Sequence, residues 1–201
     1  MKKITFIIGI IILCVACSSS KMTTSKWLAD DFNNQPTDKV LIYASTPDII
    51  LQKEFENETA QVLSDLDITI FKMHDTFPDV MYKEERTQEE IAVFLKDCKE
   101  KQINKILFAS KKSQTVDTVM SKSLHNYMND LHALSIEGYD DDLEYETDQV
   151  TTYVIEAAVY DINKTSKDAP VATTSITAMN PKSLDDIKTR LLKSIKQIFK
   201  K

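Results

Sequence analysis

The residues able to do chemistry gather in a few places. Ser45, Thr46 and Asp48 follow an apolar run, His74 and Asp75 follow a second, and Ser110, Lys111 and Lys112 follow a third. If those runs are parallel strands, a hydroxyl, an imidazole, carboxylates and an amine meet beyond their carboxyl ends, where open α/β sheets bind ligands. Ser45, Thr46, His74, Asp75 and Lys111 are therefore candidate contacts for a small anion or a peptide. Nothing orders them into a nucleophile, a base and an orienting group, and strands of any α/β domain finish in polar residues at the solvent, so no catalytic residue is assigned.

Metal ligation has two candidates, and both read better as surface. His125 and His132 are seven residues apart, about 10 Å along a helix axis, too far for one ion without a third ligand between them. Residues 140–148 crowd six carboxylates into a short stretch but lack the mid-loop glycine and closing glutamate of an EF-hand. A solvated acidic loop is the plainer account, and no metal or cofactor is implied.

Glycine removes several enzyme classes. The 201 residues contain two glycines, Gly9 and Gly138, so the glycine-cradled dinucleotide fingerprint, the P-loop and the Gly-x-Ser-x-Gly elbow are absent. Charge removes another. With 25 Lys+Arg against 31 Asp+Glu the chain is acidic, which gives no electrostatic case for nucleic acid.

The strongest signal is N-terminal. Lys2 and Lys3 precede an apolar run from Ile4 to Leu13, too short to span a bilayer as a mature helix and typical of a secretory signal. The junction Leu13-Cys14-Val15-Ala16-Cys17-Ser18 resembles a bacterial lipobox, in which a cysteine after a small residue is acylated and becomes the first mature residue. Cys17 follows Ala16 and fits; Cys14 follows Leu13 and does not. The resemblance implies a signal peptide over residues 1–16, Cys17 as the lipidation site and a membrane as the first partner. Ser18 is similar to the residue that follows the cysteine in lipoproteins forwarded to the outer membrane. With Cys17 acylated, Cys98 is the one thiol left in the mature chain, so no internal disulfide is expected.

Residues 17–38 are rich in Ser, Thr, Asn and Asp without helical or alternating period, and they read as a lipidated tether. Trp27 and Phe32 interrupt it and are expected to dock on the domain, because large aromatics are seldom left exposed. Residues 39–201 read as a single α/β domain with a mixed three-layer sheet. Its first half is β-α-β-α-β: strands at Lys39–Ala44, Ile68–Met73 and Lys105–Ser110, a helix capped by Thr46 with Leu51, Phe55, Thr59, Val62, Leu63 and Leu66 at helical spacing, and a helix opened by the capping box Thr87 to Glu90. Cys98 shares a face of that second helix with Ile91, Phe94 and Leu95, the pattern of a core thiol. In the second half, Met120, Leu124, Tyr127, Met128 and Leu131 suggest a helix, Gln149–Asp161 and Val171–Met179 an antiparallel pair, and Leu184, Ile187, Leu191, Ile195 and Ile198 the buried face of a closing helix.

This order of elements, the cysteine and the Tyr160-Asp161 step resemble small bacterial envelope lipoproteins, and the α/β domain of Tol-system and penicillin-binding-protein-activator lipoproteins. The resemblance implies a lipid-anchored, non-enzymatic binding or accessory module in the cell envelope, at the outer membrane facing the periplasm. Its partner would be another envelope protein or a cell-wall component. A periplasmic hydrolase using the strand-end cluster is the alternative.

Overall fold

The computed structural model describes residues 20–32, 39–121, 146–164 and 169–200. The domain is a mixed α/β fold: β1 (Lys21–Leu28), β2 (Lys39–Ser45), α1 (Ile49–Leu63), β3 (Thr69–Lys72), α2 (Met73–Thr76), α3 (Gln88–Glu100), β4 (Lys105–Ser121), β5 (Glu146–Asp161), β6 (Ala172–Met179) and α4 (Leu184–Phe199). The six strands form one sheet in the order β1-β6-β5-β4-β2-β3. Strands β3, β2 and β4 are parallel, as βαβ crossovers require. The other three pairings, β4 with β5, β5 with β6 and β6 with β1, are antiparallel.

Alternation along the strands makes two cores. Val40, Ile42 and Ala44 of β2, Leu107 and Ala109 of β4, and Ala157 and Val159 of β5 face α1 and α4, joined by Ile176 and Ala178 of β6. Leu41, Tyr43 and Ile106 face the opposite way and pack with Met73, Phe77 and Cys98 from α2, α3 and their connections. Helices thus cover both faces of the parallel half, which explains why its strands read as continuous apolar runs.

Several expectations are corrected. Residues 21–28 are not tether: they form β1, paired with β6 from Lys21 opposite Met179 to Leu28 opposite Ala172. Of the two aromatics expected to dock, Phe32 does, 3% exposed and edge-on to Phe199 with the ring centres 6.2 Å apart, whereas Trp27 stays 51% exposed. Thr46 is not the cap of α1. Asp48 is, its Oδ1 accepting from the N–H groups of Ile50 and Leu51, while Thr46 Oγ1 accepts from the Asp48 N–H. The buried face of α1 contains Phe55, Thr59 and Leu63 as expected, with Val62 and Leu66 half-buried against the core, but it extends round to Gln52 and Glu56, and Leu51 is exposed. The third strand runs to Ser121 instead of stopping at Ser110, and Met120 is in it; the rest of the expected 120–131 helix lies outside the described residues. Leu184, the first residue of α4, is exposed, whereas Ile187, Leu191, Ile195 and Ile198 are buried as expected. The cap at Thr87, with its reciprocal Glu90, stands as read, and Ser183 caps α4, its Oγ accepting from the Asp186 N–H.

A charge is buried at the start of β4. Lys105 is 1% exposed, with Nζ 3.0 Å from Asp161 Oδ2 and 5.9 Å from the centre of the Phe32 ring. Pairing compensates its desolvation, and Asp161 Oδ1 also accepts from the Asn163 N–H to form the turn after β5.

Cys98 is fully buried. Burial foremost, then the Asp97 carboxylate, pushes its thiol from the ordinary 9.0 up to about 12. The folded value lies above the unfolded one, so this contribution to stability is whole below pH 9 and is lost as pH rises toward 12. Native protein at neutral pH should resist maleimide, and urea-unfolded protein should label at Cys98 within minutes. Equal labelling rates in the two states would show that α3 does not cover the thiol.

Candidate functional site

The candidate site forms where β2 and β3 end. Its centre is Glu56, a residue the sequence pattern did not single out, on the sheet-facing side of α1 and 0% exposed. Oε1 accepts from the Ala44 N–H at 3.2 Å and from Gln52 Nε2 at 2.9 Å. Oε2 accepts from the His74 N–H at 3.0 Å and from His74 Nδ1 at 2.5 Å. Four donors on two oxygens approach what an ionised carboxylate can take, and such charge-assisted bonds are the strong ones. One side chain thus joins the end of β2, the first turn of α1 and the start of α2.

His74 has a carboxylate against each ring nitrogen and is hydrogen-bonded at Nδ1. Its side chain is 8% exposed, Nδ1 on Glu56 and Nε2 3.3 Å from Asp75 Oδ1. Asp75 stands at the rim, 55% exposed and 2.6 Å from Lys72 Nζ. The Lys72 hydrogen bond, aided by the charges of His74, Lys72 and Lys53, holds the Asp75 carboxyl below its usual range. A carboxylate, an imidazole and a second carboxylate follow one another from the interior to solvent.

Of the expected ligand contacts, His74 and Asp75 meet here. Ser45 is the residue after Ala44 and lies opposite Ser110 in the sheet, and Thr46 is occupied by the turn into α1. Lys111 is not brought in: its Nζ lies 3.3 Å from Gln114 Oε1 in its own strand, beside the bulge at Lys111/Ser113, while Lys112 bridges to Glu156 on β5. Open depressions lie elsewhere among the described residues. One, of about 570 Å³, runs from Thr76 to Val80 against Asp97, Glu100 and Lys101; another lies between β1 and α4. Among the described residues no three His, Cys, Asp or Glu are arranged to hold a metal, and His125, His132 and residues 140–145 lie outside them. Glu146 and Asp148 belong to β5.

Chemically, an imidazole fixed at Nδ1 by a carboxylate is an orienting arrangement for acid–base work. Here Nε2 faces another carboxylate, and among the described residues no hydroxyl or thiol bonds it. The signal that finds Glu56 is helical spacing: 52, 55, 56, 59 and 63 share a face, so a glutamate there must be paired when that face meets the sheet.

No family model matches the chain, and no curated protein does. Among solved structures it is similar to the PelC dodecamer protein of Paraburkholderia phytofirmans, with a TM-score of 0.45 and 10% identity over 90% of this chain and 99% of that one. It is also similar to the lipoprotein GNA1162 of Neisseria meningitidis, with a TM-score of 0.37 and 14% identity over 80% and 97%. A third is the hypothetical protein CT253 of Chlamydia trachomatis, at 0.36 and 11% over 80% and 94%. At these identities no site residue is carried from one chain to another.

The His74 geometry predicts a protected ring proton. In proton NMR at neutral pH the Nδ1–H should give a downfield resonance that exchanges slowly with water and disappears in His74→Asn. A spectrum in which every imidazole N–H exchanges too fast to be seen would contradict the buried bond.

Proposed function

We propose that the chain is a lipid-anchored accessory protein of the bacterial cell envelope, acylated at Cys17, which holds its domain at the outer membrane for a non-enzymatic contact with another envelope protein or with the cell wall. The observation that carries this reading is the placement of Cys17, directly after Ala16 at the end of the apolar run from Ile4 to Leu13 and four residues before Lys21, where β1 begins. Two or three acyl chains give stable anchoring where one would be marginal. The polar strand ends support a binding role over a catalytic one, because Glu56 holds Nδ1 of His74 and the Asp75 carboxylate stands 3.3 Å from Nε2.

A periplasmic hydrolase is the second reading. What favours it is the Glu56–His74 bond, since a carboxylate that fixes an imidazole is a component of acyl-transfer sites. It requires Asp75 to swing off Nε2 and a nucleophile to replace it. Turnover of an ester or amide substrate abolished by His74→Ala in a folded protein would establish it.

Cys17→Ala tests the anchor. The variant should leave the detergent-soluble membrane fraction and lose the mass of its acyl chains, whereas Cys14→Ala should change neither. Acyl chains retained by Cys17→Ala would overturn the assignment.

A further inference from the structure

Strand β1 is one edge of the sheet, and among the described strands it pairs with β6 alone. The Ala29 N–H donates to the Val171 carbonyl at 2.9 Å, and the Asn180 N–H to the Thr151 carbonyl at 2.8 Å. Bonded pairs alternate along an antiparallel ladder, so the odd-numbered residues of β6 bond β1 and the even-numbered ones bond β5. On β1 the bonded residues are then Thr23, Ser25 and Trp27. The N–H and C=O groups of Met22, Thr24 and Lys26 point away from the sheet, and Arg190 Nη1 stands 3.4 Å from the outward Met22 oxygen.

Helix α4 flanks this edge. It follows β6 and runs parallel to β1, so Arg190 lies by Met22 and Gln197 by Lys26, whose Nζ donates to Gln197 Oε1 at 2.7 Å. A groove of about 540 Å³ separates them, with Met22, Thr24 and Lys26 on one wall and Arg190, Lys193 and Gln197 on the other. Positions 190, 193 and 197 share the side of the helix away from α1. On the side toward α1, Lys188 and Lys196 are ion-paired with Glu54, Glu58 and Asp65. Along the groove, among the described residues, no carboxylate pairs with Lys26, Arg190 or Lys193, and Asp186 stands at the Met22 end alone. Three exposed cations thus converge beside an open strand edge on a chain that is acidic as a whole.

We propose that the β1 edge takes up an extended acidic segment of a partner protein as a further strand of the sheet. This gives the chemistry of the protein contact inferred above and does not need the acyl anchor. The outward N–H and C=O groups supply the main-chain bonds of strand addition. Side chains of the added strand opposite Thr24 and Lys26 face the α4 side, where Lys26, Arg190 and Lys193 select carboxylates. The side chains between them emerge on the other face beside Trp27, which is 51% exposed and selects apolar groups. The segment that fits therefore alternates acidic and apolar residues. Edge lysines by themselves keep other strands away, but two of these three cations come from α4, across a groove with room for side chains. The same charges oppose a second copy, because β1 against β1 would set Lys26, Arg190 and Lys193 of both chains side by side.

A short peptide of alternating glutamate and valine is the probe, added to the acylated chain in detergent, with amide hydrogen exchange read by NMR. In the free chain the Thr24 and Lys26 N–H groups should exchange fast and those of Thr23 and Ser25 slowly. The peptide should slow Thr24 and Lys26 roughly tenfold or more. A peptide of alternating lysine and valine should not bind, and Arg190→Glu with Lys193→Glu should reverse the preference. Thr24→Pro removes one outward N–H, is tolerated on an edge strand, and should weaken binding roughly tenfold; it serves if the charge reversal does not fold. Absence of binding, equal affinity for the lysine peptide, or binding that leaves the Thr24 and Lys26 rates unchanged would overturn the proposal. Protection of the same two N–H groups without peptide, rising with protein concentration, would give the edge to a second copy and overturn it as well. None of these outcomes bears on acylation, which the Cys17→Ala fractionation tests separately.

Discussion

A carboxylate with no access to water is costly unless every lone pair that matters has a donor, and Glu56 is such a carboxylate. Its donors come from three elements that are separate in sequence: the Ala44 N–H of β2, the Gln52 amide of α1, and the backbone and ring of His74 at the start of α2. The charge therefore fixes where β2 stops, how α1 is rotated on the sheet, and why the chain turns into α2 at Met73 instead of prolonging β3. A turn of α1 toward Leu51 and Val62 would take Glu56 off the sheet. It would leave the Ala44 and His74 N–H groups without their acceptor.

The same rotation determines which side chains face solvent. With Gln52, Phe55, Glu56, Thr59 and Leu63 inward, Ile49, Ile50 and Leu51 are left at the rim. Lys188 completes the arrangement from α4. Glu54 and Glu58 on α1 and Asp185 on α4 surround its ammonium, and the bond to Glu54 above all raises its pKa, aided by Glu58 against some loss of hydration. Glu54 is 48% exposed and Glu58 36%, so solvent screens these pairs and their net contribution is modest. They set the level of the two helix starts more than they stabilise the fold.

The parallel half was legible because each of its elements declares itself locally. KVLIYA and KILFAS are buried on both faces and read as apolar runs, the Thr87–Glu90 box opens α3, and Cys98 completes a helical stripe. Strand β1 was not legible: most of KMTTSKWL is exposed, so it has no alternation, and its ladder is made with residues some 150 positions away. Nor was the length of β4. From Ser113 to Val119 its residues are exposed as they pair with β5, where binary pattern carries little information. His74 and Asp75 could be named as strand-end residues. Glu56 could not, since a glutamate in the middle of a polar helix looks solvated until its face is known to meet the sheet.

The central claim is that the Glu56–His74 bond holds the end of the domain together, and a double-mutant cycle measures it most directly. Urea unfolding of the chain, of Glu56→Gln, of His74→Asn and of the double variant should give a coupling energy of about 1–3 kcal/mol, with each single variant destabilised. Strictly additive losses, with coupling below about 0.5 kcal/mol, would contradict the account and leave His74 free for a role other than clamping.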